Sequence, residues 1–189
     1  ALAGPVAVGA AVIDPSRSRK RVPTGLRDSK LVPEARRPEV AARAAAFVQH
    51  SAVGWASSEE IDEIGIIRAL GLAAVRAIAD LRAHGVVPEE ALVILDGNHD
   101  YITPAGESGL TVKPVIKADR DCASAAAASV IAKVARDALM TGLHDDLPAY
   151  GWARNKGYAS LDHRDAITTH GMSVHHRHSW AIAAAPTLF

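Results

Sequence analysis

The chain has 189 residues, 49% of them hydrophobic, with 21 Lys and Arg balancing 21 Asp and Glu for a formal net charge of zero. That length suits one domain with a sizeable core, and the neutral total does not point to nucleic acid, although it leaves room for a local basic face. The one cysteine, Cys122, excludes an internal disulfide and fits a reducing compartment; no apolar run reaches membrane-span length and no signal peptide is recognisable, so a cytoplasmic protein is expected.

Pro5 to Ile13 reads as a strand whose near-continuous apolar character suggests burial on both faces. A Pro-, Gly- and Ser-broken loop follows, then a helix from near Pro33 to near His50. Residues 17 to 43 carry nine basic side chains against three acids, Asp28, Glu34 and Glu39. Such a run forms either a solvated face or a surface that tracks phosphates. Ser51 to Ala56 is a second strand. Ser58 opens a helix whose acids, Glu59, Glu60, Asp62 and Glu63, read as capping rather than metal binding. A helix over Ile66 to Ala83 turns Leu70, Ala73, Ala74, Ala77, Ile78 and Leu81 to one face, with Ile66, Ile67 and Gly71 also assigned to the core.

Val93 to Asp96 is an apolar strand ending in an acid, and His99 and Asp100 fall in the polar turn region behind it. A further strand, Val112 to Ile116, leads into Lys117-Ala118-Asp119-Arg120-Asp121 and an alanine-rich helix from about Cys122. Its small residues Ser124 to Ser129 allow close approach to a sheet. Taken alone, Asp119 and Asp121 read as a cap and a first-turn acid. Together with Asp96, they make two parallel-type strands with acids at their carboxyl ends, a candidate divalent-metal site. Tyr150 to Tyr158 interleaves aromatics with cations, which suits base stacking and phosphate contact, although Trp152 equally suits packing. Leu161 to His170 reads as helix. His175, His176 and His178 lack a cysteine partner and finger spacing, so a structural or substrate-edge role is preferred to zinc.

The runs Asp28-Ser29-Lys30, Asp96-Gly97, Lys117-Ala118-Asp119, Ala126 to Asp137, Asn155-Lys156-Gly157-Tyr158 and His176 to Trp180 resemble ribonuclease HII in order and spacing along nearly the whole chain. The resemblance implies an α/β ribonuclease H-like fold, a mixed five-stranded central sheet flanked by helices. It implies one domain over 1–189, with a helical, substrate-binding C-terminal extension over 143–189. In the family, the point matching Ala1 follows a strand with an Asp-Glu pair and a Gly-Arg-Gly turn. The chain is therefore expected to be truncated, its first strand and two catalytic carboxylates lying outside it.

The implied activity is a metal-dependent endonuclease. It hydrolyses the RNA strand of RNA–DNA hybrids and cuts 5′ of ribonucleotides embedded in duplex DNA. The implied cofactors are two Mg²⁺ or Mn²⁺ ions held by four carboxylates. Matched residue by residue, Asp96 and Asp119 are the catalytic, metal-holding pair, with Asp121 as the fallback for Asp119. Tyr158 matches a tyrosine on the sugar beside the RNA–DNA junction, and Ser29, Lys30, Asn155 and Lys156 match phosphate or junction contacts. A monomer is expected, with no membrane partner. The alternatives are a ribonuclease HIII-type hybrid nuclease, which Asn155 to Tyr158 disfavours, and a noncatalytic hybrid-binding module.

Overall fold

The computed structural model describes residues 1–14, 16, 21–26 and 32–180. Ser29 and Lys30 lie outside the described residues, as do Arg17, Arg19, Lys20 and Arg27 of the basic run.

Strand β1 (Val6–Val12) pairs antiparallel with β2 (His50–Ala56), Val8 opposite Gly54 and Gly9 opposite Val53. Opposed residues share a face and neighbours along a strand alternate. Val6, Val8, Ala10 and Val12 accordingly pack against helix α3 (Ile66–Ala83), while Ala11 and Ile13 pack against α1 (Arg37–Phe47) and α5 (Ala123–Asp146). Helices therefore cover both faces, as alternating strands and helices predict. Glycine permits both approaches: a Cβ on Gly54 would stand 1.8 Å from the Ala73 carbonyl oxygen, and one on Gly9 would stand 2.2 Å from that of Ala128.

Strand β3 (Leu92–Asp96) pairs parallel with β4 (Thr111–Val115), Asp96 opposite Val115. The single mixed sheet expected from the resemblance is not what the described residues form. They make two separate two-stranded ladders, one antiparallel and one parallel. A cavity of about 450 Å³ is lined by Val6 to Ala10 of β1 and by Val93 to Asp96 of β3.

Local differences have local causes. Before α1 the chain makes a 3-10 turn over Glu34–Arg36. Helix α2 (Ser58–Ile64) opens at Ser58 as expected and is capped by Ser57: the Ser57 hydroxyl accepts the Glu60 N–H and the Glu60 carboxylate accepts the Ser57 N–H. The alanine-rich helix α5 starts at Ala123, as expected, but a separate single turn, α4 (Ala118–Asp121), precedes it, with Cys122 extended between them. Ile67, assigned to the core from periodicity, is 51% exposed.

Beyond α5, a 3-10 turn (Pro148–Tyr150), α6 (Trp152–Asn155) and α7 (Leu161–His170) close a second core on Leu2, Ala3, Met140, Tyr150 and Trp152. This C-terminal segment is continuous with α5, which runs through residue 143. Backbone bonds from Leu2 to Gly157, Gly4 to His175 and Arg177 to Leu2 knit it to the chain's first residues. Among the described residues no helix is long and apolar enough to cross a membrane.

Candidate active site

Two acids from different elements open on the cavity between β1 and β3. Asp96 is delivered by the carboxyl end of β3, where the side chain is exposed, and Asp119 by the single turn of α4, where it is 8% exposed. That turn follows Lys117, whose left-handed backbone (φ 60°) swings the chain from β4 into α4. Asp121 is placed differently. It is exposed, does not line the cavity, and accepts two bonds of 2.7 Å from Arg120, which hold its carboxyl below the usual range.

The wall supplied by α5 repeats at helical spacing: Ala125, Ser129, Ala132, Lys133 and Arg136. Lys133 is tied to Asp137 at 2.7 Å, and Asp137 also meets Arg37 at 3.6 Å. Tyr158, 48% exposed, lays its ring at the cavity with Lys133 Nζ 5.2 Å and the Arg136 guanidinium 5.5 Å from its centre. Arg177 joins the same wall; burial first, then the Arg136 charge, pull its guanidinium down to about 10. Tyr101 sits on the Asp96 side. Burial, with the charges of Asp96 and Asp100 adding, pushes its phenol up to about 12, so it remains a donor. Asp100 itself serves the turn, its carboxylate accepting from Ile102 N–H, Thr103 N–H and the Thr103 hydroxyl.

The remaining sequence candidates part company with this cavity. Asn155 is buried, donating to the Tyr150 carbonyl at 2.7 Å and accepting the Gly157 N–H at 2.8 Å, so its amide shapes the loop beneath Tyr158. Lys156 turns the other way, its amine donating to Thr141 Oγ1 at 3.1 Å and to the Ala153 carbonyl, with Glu34 3.7 Å away. It lines a second, smaller cavity with Arg37 and Asp137. His176 is enclosed by side chains, and His178 bonds the Ser173 carbonyl at 3.1 Å.

The family model described as Ribonuclease HII matches residues 1–183. The chain belongs to the ribonuclease HII family. It is 45% identical to the Ribonuclease HII of Streptomyces coelicolor over 96% of this chain and 72% of that protein. With the Ribonuclease HII of Rhizorhabdus wittichii the identity is 42%, over 100% of this chain and 86% of the other. Among solved structures, the RNase HII in the PCNA:RNase HII complex from Archaeoglobus fulgidus superposes with a TM-score of 0.71 at 24% identity, over 98% of this chain and 92% of that one. Bst-RNase HIII in complex with Mn²⁺ gives 0.71 at 19% identity, over 95% and 63%. At those identities the structures establish a shared fold.

For a ribonuclease HII, the chemistry of the donors bears on the metal. Among the described residues no group of three or more His, Cys, Asp or Glu forms a closed metal cage. Two carboxylates on an open cavity nevertheless suit a hard divalent cation, which takes oxygen ligands and completes its shell with water and substrate phosphate. Sequence reasoning missed Tyr101, Lys133, Arg136 and Arg177. The signal for Lys133 and Arg136 was present, since they stand one helical turn apart on the face that carries Ser129.

Proposed function

We propose that this ribonuclease HII is a divalent-metal-dependent endonuclease that hydrolyses the RNA strand of RNA–DNA hybrids and cuts 5′ of ribonucleotides embedded in duplex DNA. The observation that carries the reading is that Asp96, Asp119 and Tyr158 open on one cavity. Asp96 and Asp119 would hold Mg²⁺ or Mn²⁺ through carboxylate oxygens. The chemistry such ions supply when bound is activation of the attacking water and stabilisation of the leaving 3′-oxygen. Tyr158 offers its half-exposed ring to the sugar at the junction, and a 2′-hydroxyl there distinguishes RNA from DNA. Lys133, Arg136 and Arg177 bring positive charge to the cavity, which favours the phosphate backbone although the chain as a whole is neutral. Ser29 and Lys30 would be phosphate or junction contacts in this reading. In this reading residues 1–189 belong to one domain of a cytoplasmic monomer.

The test, on the full-length protein, is cleavage of two duplexes, an RNA–DNA hybrid and a DNA duplex with one ribonucleotide, in Mg²⁺, in Mn²⁺ and in chelator. Metal-dependent products with 3′-hydroxyl and 5′-phosphate ends are expected on both. Tight binding of the hybrid with no cleavage in either metal would replace this reading with that of a noncatalytic hybrid-binding module.

A further inference from the structure

The carbonyl of Tyr158 is held from behind by a side chain that never reaches the cavity. His163, in the first turn of α7, is fully buried, and its Nδ1 lies 2.8 Å from the Tyr158 carbonyl oxygen. A carbonyl only accepts, so Nδ1 carries the proton and Nε2 of the neutral ring is left an acceptor. Trp152 agrees with that assignment: its indole N–H, a donor only, points at His163 Nε2 from 3.0 Å. His176 approaches the same Nε2 through its own Nε2, at 3.1 Å. The Ser173 backbone N–H donates to His176 Nδ1 at 2.9 Å, so His176 carries its proton on Nε2 and donates to His163. The two donors share the single lone pair of His163 Nε2 in a three-centre contact. Trp152, His163 and His176 are all 0% exposed, and none lines the cavity.

Tyr158 is thus gripped at both ends of its backbone, its N–H by the Asn155 carbonyl at 2.8 Å and its carbonyl by His163 at 2.8 Å and the Ser160 N–H at 2.9 Å. We propose that His163 is a positioning residue for substrate recognition: fixed in one tautomer by Trp152 and His176, it sets the backbone of Tyr158 and so the ring that meets the sugar. The inference rests on the reading of Tyr158 as a sugar contact.

Two substitutions separate positioning from packing. His163→Asn places an amide N–H near the position of Nδ1 and keeps the bond to Tyr158. His163→Gln instead reaches the Nε2 position, serves Trp152 with its oxygen, and leaves the Tyr158 carbonyl held by the Ser160 N–H alone, at 2.9 Å. The measurements are melting temperature, kcat and KM on a DNA duplex with one ribonucleotide, and Kd for that duplex without divalent metal. Each is made alone and with Tyr158→Ala. Both variants are expected to lower the melt. His163→Gln should raise KM and Kd about three- to tenfold with little change in kcat, while His163→Asn stays within about twofold. The effect of His163→Gln should vanish beside Tyr158→Ala.

Trp152→Phe, which removes the indole N–H and keeps an aromatic ring, is the second variant should His163→Gln not fold. It is expected to raise KM about twofold alone and not at all beside Tyr158→Ala. Equal losses from the Asn and Gln variants in step with the melt overturn the proposal, as does a Gln or Trp152→Phe effect undiminished beside Tyr158→Ala. If Tyr158→Ala alone leaves KM and Kd unchanged, the sugar-contact reading is what falls, and the proposal falls with it.

Discussion

The guanidinium of Arg136 lies 5.5 Å from the centre of the Tyr158 ring and is committed to the backbone on every side. Its nitrogens donate to the carbonyls of Pro5 at 2.9 Å, Lys156 at 3.0 Å and Ala3 at 3.0 Å. One planar fork thereby joins the start of β1 to the loop that carries Tyr158. Burial pulls this guanidinium below its ordinary range, a cost offset by those bonds. An ammonium is a compact charge and cannot span the three acceptors. Arg136→Lys is therefore expected to lower stability by about 2–4 kcal/mol, because buried carbonyls lose their donors. Urea unfolding measures this, and a midpoint equal to the parent's would remove the clamp from the account.

Tyr158→Ala should reduce cleavage at a single embedded ribonucleotide by about tenfold or more, given ~1–3 kcal/mol for an aromatic contact of this kind. A long hybrid offers many registers and should lose less. Tyr158→Phe keeps the ring over Lys133 and Arg136 and should retain most activity. Equal losses on both substrates, accompanied by a lower melt, would mark Tyr158 as packing only.

Asp119 and Asp121 are two residues apart but face different surroundings, the cavity for one and solvent with Arg120 for the other. Asp96→Asn and Asp119→Asn should each lower kcat by on the order of 100-fold or more, with little loss of hybrid binding. Asp121→Asn should stay within about threefold, since an exposed ion pair is worth at most ~1 kcal/mol. Retained activity in Asp119→Asn with loss in Asp121→Asn would reverse the assignment within this turn.

Much of the fold was legible because its signals are local. The period of Leu70, Ala73, Ala77 and Leu81 placed α3 at its observed bounds, Ile66 to Ala83. Two apolar runs ending at Asp96 and just before Lys117 marked the parallel pair. The start of the alanine-rich helix at about Cys122 was legible, but the α4 turn before it was not; the Cys122 N–H closes that turn on the Ala118 carbonyl while its extended backbone starts α5. Asn155 matched a motif, yet its amide is spent inside its own loop, and a motif does not say which way a side chain turns. Two of the three carbonyl partners of Arg136 lie 131 and 133 residues away, at Pro5 and Ala3. Periodicity can assign a residue to a face but cannot name what meets it there.

The neutral histidine pair makes stability depend on pH. Burial lowers both His163 and His176 from the usual histidine range; for His176 the proximity of His163 adds to it, and its value reaches about 4. His175 and His178 push His176 the same way, whereas its bond with the Ser173 backbone opposes them. In the unfolded chain these rings titrate near about 6.5. Between those values the unfolded state binds more protons, so stability rises with pH. The contribution is complete above pH ~6.5 and is lost as pH falls toward ~4. Glu60 adds to the loss only at the acid end of that window: the Arg76 side chain, helped by the Ser57 N–H, holds it at about 2, so its contribution declines from its unfolded value of about 4.3 downward. Urea unfolding is expected to show a loss on the order of a few kcal/mol between pH ~7 and pH ~4.5, at unchanged m-value. His176→Gln should start less stable at pH ~7 and show a shallower slope below it. If its slope matches the parent's, the protons are taken up elsewhere, and the buried pair is not the acid-sensitive element.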